Sequence, residues 1–172
     1  MASSNAHHAT GFAAGIIAAA LVAHTGNSRD SLFYIGVLMS FVAGVAGSTA
    51  PDWLEVAWWS RTRRLWIRHR TLTHWGIGWM ALLAVSYHEL GHSLYAAPAF
   101  GFACGGLMHL LADWPNPLGV PWIAARHSLN LWNSGHCDLI VVAASFGAAW
   151  FIGRHVGLPG LHGLAALKHW RF

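Results

Sequence analysis

Long apolar runs separated by short polar stretches dominate this chain. Five stand out: about Ala9 to Ala23, Leu32 to Ala50, Trp75 to Tyr87, Ala96 to Ala112, and Leu139 to Ile152. Several fall short of the roughly 20 residues that a perpendicular membrane helix needs. Flanking Trp, Tyr and His can complete such segments at the membrane–water interface. One run alone reads equally well as the core helix of a soluble protein, but five with so few charges do not. The pattern therefore predicts an all-α, polytopic membrane protein of about five transmembrane helices, built as a single domain over residues 1–172. Gly11 with Gly15, and Gly44 with Gly47, predict helices that approach closely. Beyond Val156 the pattern breaks at Pro159 and Gly160, and Leu161 to Trp170 fits a short interfacial helix with Lys168 and Arg171 among headgroups.

Composition strengthens this picture. Hydrophobic residues make up 55% of the chain and charged residues 9%, against about 25% charged in a typical soluble domain. Eleven Trp fit a chain with long interfacial borders. The net charge of +4 could suggest nucleic acid, but the Arg residues flank apolar segments, as orientation signals do, so nucleic acid is not the expected partner. Arg61, Arg63, Arg64, Arg68 and Arg70 precede the third segment, and Arg126 follows the fourth. The positive-inside rule places both loops in the cytoplasm. Met1 to Thr10 hold no Lys or Arg, so the first segment is expected to remain as a membrane helix rather than serve as a signal peptide. Neither Cys104 nor Cys137 lies in a CxxC pair, and inert thiols are expected.

The acids are few: Asp30, Asp52, Glu55, Glu89, Asp113 and Asp138. Ionisable groups beside lipid are costly, so their placement needs a reason. With five alternating spans, one membrane face receives His7 and His8, Asp52 and Glu55, His69 and His74, His109 and Asp113, and His136 and Asp138. Imidazole and carboxylate together suit zinc, or one or two ions of manganese, magnesium or iron. His109 and Asp113 are four apart and leave one side of a helix. His69 and His74 flank a polar turn beside the third segment. Pro51-Asp52 closes the second segment, where Asp52 could instead cap a helix over Trp53 to Trp59. Glu55 and Asp138 are candidates for general base or for supporting the ligands, and Arg70 and Arg126 for clamping an anionic group.

A competing motif stands apart. His88-Glu89-Leu90-Gly91-His92 is a literal HExxH, which on a helix would hold zinc between two His with Glu as base. It also resembles the motif of intramembrane site-2-type metalloproteases. It falls on the opposite face from the other ligands, and that face offers only Asp30, His24 and His155 as a third ligand.

Several blocks together resemble a known family: His7 with Gly11 and Gly15; Ala50-Pro51-Asp52-Trp53-Leu54-Glu55; His69-Arg70-Thr71-Leu72-Thr73-His74; and Gly106 to Asp113 followed by Pro117-Leu118-Gly119-Val120-Pro121. In order and spacing the chain is similar to the YdjM-like membrane-bound metal-dependent hydrolases of bacterial inner membranes, from about His7 to Asp138. The set is also similar, more distantly, to that of zinc-dependent phospholipases C. The resemblance implies a multi-pass inner-membrane protein with His7, Asp52, His69, His74, His109 and Asp113 as ligands. The chain departs from the family pattern at Ala50, at the late Glu55, and at Gly135-His136-Cys137-Asp138. The expected function is metal-dependent hydrolysis of a phosphoester or lipid-linked substrate, with Glu55, Asp138 and Arg70 as catalytic candidates. The alternatives are proteolysis through the HExxH motif and non-enzymatic metal binding.

Overall fold

A computed structural model of the protein describes residues 2–26, 31–132 and 138–156. Each predicted apolar run is a helix: α1 (Ser4–Thr25), α2 (Ser31–Gly47), α4 (Gly76–His88), α5 (Ala96–Asp113) and α6 (Asp138–His155), with a four-residue α3 (Ala50–Trp53) after α2. Ser3 caps α1, its hydroxyl accepting from the Ala6 N–H at 3.2 Å, which satisfies one of the free donors of the first turn. Pro51 opens α3, where its missing N–H costs nothing. A 3-10 turn (Leu72–His74) leads into α4, and a short antiparallel hairpin of β1 (Val120–Pro121) and β2 (Arg126–His127) follows α5. Arg29, Asp30, His136, Cys137 and the segment 157–172, with Lys168 and Arg171, lie outside the described residues.

α5 is the central element. It packs on α1, α2 and α4, while α6 packs on α1. The approach of α1 and α2 depends on paired glycines: a Cβ added to Gly44 would sit 2.7 Å from the Gly15 Cα. Only backbones without side chains can meet so closely. The glycine spacing thus places the helices as the sequence suggested.

Burial on α2 runs opposite to that of a soluble helix. Its buried residues are Ser40, Gly44 and Gly47, while Leu32, Tyr34, Ile35, Leu38, Met39 and Val42 are exposed. Ser40 is satisfied locally, its hydroxyl donating to the Val37 carbonyl at 2.7 Å. Small residues inside and large apolar residues outside is the arrangement expected where lipid is the solvent. Among the described residues one helix, α1, is both long and apolar enough to cross a bilayer by itself, and α2 falls just short at 17 residues.

One local expectation is overturned. No helix runs over 53–59: α3 stops at Trp53, and the chain turns back so that Val56 bridges Leu65 in antiparallel fashion and the Ala57 N–H donates to the Arg64 carbonyl at 2.8 Å. Pairing with the arginine-rich stretch supplies the backbone partners that a helix would have supplied internally.

Candidate metal centre

α5 ends in two residues that share one helical side, His109 and Asp113, and both are fully buried. α2 has just finished beside them. The Ser48 carbonyl, past the last turn and without a helical partner, accepts from His109 Nδ1 at 2.8 Å. That bond fixes the tautomer, so Nε2 carries the lone pair. From the first turns of α1 the His7 ring stacks on His109, centroids 3.9 Å apart and planes inclined by 14°. α3 contributes Asp52, and the 3-10 turn contributes His74.

The distances close into one cluster. His7 Nε2 lies 3.5 Å from Asp113 Oδ1 and His109 Nε2 lies 3.8 Å from Asp113 Oδ2. Asp52 Oδ1 lies 3.5 Å from His74 Nε2 and 3.7 Å from His109 Nε2. Two groups result, His7–His109–Asp113 and Asp52–His74–His109, each with ligand atoms within 4.8 Å of one another. Burial opposes ionisation of Asp52, but the contact with His74 and the fields of His109, His74 and His7 outweigh it. The Asp52 carboxyl is therefore held below its ordinary pKa and stays ionised.

Behind the cluster, Glu55 is a buried hub. It accepts from the Arg70 N–H at 2.8 Å and from the Thr73 hydroxyl at 2.8 Å. It also meets His74 Nδ1 at 3.0 Å and His69 Nδ1 at 2.6 Å. A carboxylate on Nδ1 turns the His74 Nε2 lone pair toward the cluster and raises its basicity, as in carboxylate–histidine–metal sites. Arg70 adopts φ +57°, uncommon for a residue with a side chain. Its buried guanidinium pairs with Asp113 Oδ2 and donates to the Gly119 carbonyl at 2.9 Å. The Ala2 N–H donates to Asp113 Oδ1 at 3.0 Å.

The structure thus brings His7, Asp52, His74, His109 and Asp113 together at one end of the bundle. His69 stands one step out: its side chain is 40% exposed, its ring centre lies 5.6 Å from that of His74, and it belongs to neither group. Asp138, at the start of α6, belongs to neither group and accepts from the Ser3 N–H at 3.2 Å. Arg70 and Arg126 face the protein, the latter donating to the His69 and Arg70 carbonyls at 3.1 and 3.2 Å. The sequence reading missed Thr73 and the Ser48 carbonyl. Thr73 had a weak signal, its place directly before His74. The carbonyl had only the end of the apolar run.

The HExxH motif does not form a helical zinc-binding unit. α4 ends at His88, Glu89 caps it, and Gly91 takes φ +85°, so His88 and His92 are not on one helical face. Both are exposed, and among the described residues neither joins a metal-holding group.

The residues fit a divalent cation on two counts. Among the described residues, His7 Nε2, Asp52 Oδ1, His74 Nε2 and His109 Nε2 are buried without a hydrogen-bond partner, a costly state unless something occupies the space between them. Among the described residues, three carboxylates (Asp52, Glu55, Asp113) and a single buried guanidinium (Arg70) meet at the cluster, a carboxylate-rich donor set that suits a cation. No curated protein and no solved structure gives a significant match to this chain. A family model does: it covers residues 1–133, spanning every residue of the cluster. The chain belongs to the family described as YdjM inner membrane protein.

Proposed function

We propose that the protein is a membrane-embedded metal-dependent hydrolase acting on a phosphoester or lipid-linked substrate at the cytoplasmic face of the inner membrane. The observation that carries this reading is the convergence of four buried, unpartnered ligand atoms on one end of the bundle. Zinc suits the mixed nitrogen and oxygen donors best, with manganese, magnesium or iron as the alternatives. α1, α2, α4, α5 and α6 are taken as five spans. Support comes from the outward apolar faces, including Leu139, Ile140, Trp150 and Phe151 on α6 and Met80 and Val85 on α4, which would be an aggregation hazard in water. The arginines between α3 and α4 orient the cluster toward the cytoplasm.

In this reading His7, Asp52, His74, His109 and Asp113 hold the ion. When bound, it supplies Lewis acidity for a phosphoryl or carbonyl oxygen and lowers the pKa of a water. Glu55 is wholly engaged with its neighbours, so its role is to position His74 and His69. The proton-handling role falls to His69: Glu55 anchors Nδ1, leaving Nε2 to accept a proton. Asp138 tethers the start of α1.

Elemental analysis of the detergent-purified protein, followed by phosphodiesterase and phospholipase assays, tests the proposal. Stoichiometric metal and metal-dependent turnover of one ester class are expected. A protein that binds no divalent metal, or that turns over neither class when loaded, would sink it.

A further inference from the structure

A cleft of about 380 Å³ opens beside the cluster, and His7 and Asp52 form part of its wall. Its volume lies within the range of small-molecule sites. Asp52 is the cluster's solvent-facing member, with 39% of its side chain exposed, while the unpartnered His7 ring is buried. The rest of the wall includes Trp53, Trp58, His8 and Arg63, beside the small side chains of Ser4, Thr49 and Val56. The Arg63 guanidinium carbon sits 5.0 Å over the Trp58 ring. Stacking there holds the fork without consuming its N–H donors. Among the described residues Arg63 meets no carboxylate, whereas Arg70 is spent on Asp113 and Gly119, and Arg126 on backbone carbonyls. Arg63 also takes φ +44°, on the returning arm of the loop, directly before Arg64 pairs with Ala57.

We propose that this cleft is the substrate's way to the cluster, and that Arg63, aided by His8, recognises a phosphoester oxyanion there. The inference deepens the hydrolase reading and rests on it for the ester that is cleaved. The phosphate group is the shared chemistry of a soluble monoester and a lipid headgroup. Fork-shaped guanidinium donors match its oxygens. The cation seated among His7, Asp52 and their neighbours would meet the same group from the inner side.

The test uses the full chain, purified in detergent and loaded with zinc, with inorganic phosphate as ligand in a calorimetric titration. Arg63→Gln should weaken phosphate binding about 10-fold, the loss of one charge-assisted contact. His8→Gln should weaken it roughly 3-fold, because the amide keeps a donor but not the reach of the imidazole. Bound zinc per chain should stay at the wild-type level in both, which separates loss of the anion contact from loss of the fold. Arg63→Lys should recover part of the affinity through its charge alone. Phosphate binding by Arg63→Gln equal to wild type, or none by the loaded wild type, would overturn the proposal. Hydrolysis of p-nitrophenyl phosphate in solution against phosphatidic acid in nanodiscs then identifies the source of the phosphate, since KM should rise in Arg63→Gln on the ester that is used. If phosphate binding depends on Arg63 and neither ester is cleaved, the anion cleft stands and the hydrolase reading falls.

Discussion

Where α1 begins and α5 finishes, His7, His74, His109 and Asp113 are each at most 2% exposed. At the other end of the bundle, His88, Glu89 and His92 are all exposed, and the Glu89 carbonyl receives the His92 N–H at 2.9 Å in a plain turn. The residue types are the same. At the buried end, among the described residues, Nε2 of His7, His74 and His109 has lost water and gained no hydrogen-bond partner, a costly state that favours an occupant. At the exposed end the side chains remain open to solvent. A motif read as letters favours the second site, whereas the desolvated geometry favours the first.

Four outcomes would break or sharpen this contrast. His109→Ala and His74→Ala should each purify without stoichiometric metal, measured by elemental analysis, because each removes a nitrogen already aimed at the cluster. Glu55→Gln keeps every ligand but weakens the carboxylate behind His74. Metal affinity should fall about 10- to 100-fold, read by competition with a chromophoric chelator. Stripping the metal from the wild type should cost about 2.7 kcal/mol of stability relative to metal held at 100 times its Kd. Thermal unfolding should then fall by roughly 5–10 °C for a chain of this size. His88→Ala and His92→Ala should change stability by no more than about 0.5 kcal/mol and leave metal content untouched. Loss of metal in that last pair would reverse the comparison and revive the protease reading.

The helices were legible because nothing except apolar runs distinguishes them, and α5 falls within a residue of the expected Ala96 to Ala112. Convergence of the ligands was legible from alternating helix direction, which needs no side-chain detail. Side-chain partners were less so. Arg70, expected to clamp an anion, turns inward because Asp113 is buried and needs a countercharge. Glu55, a base candidate, is instead surrounded by donors from the chain at 69–74. Both outcomes depend on which loop packs over which helix end, and no spacing in the sequence encodes that. The HExxH pattern fails as a helical metal motif for a local reason: Gly91, with φ +85°, lies inside the stretch that would have to be helical.

His109 belongs to both ligand groups, yet its ring has one electron pair to give, because the other nitrogen is committed to the Ser48 carbonyl. A cation drawn toward Asp52 and His74 takes that pair away from His7 and Asp113, and the reverse holds equally. A bound ion would therefore take His109 with one group or with the other, and His109 could serve only one ion at a time.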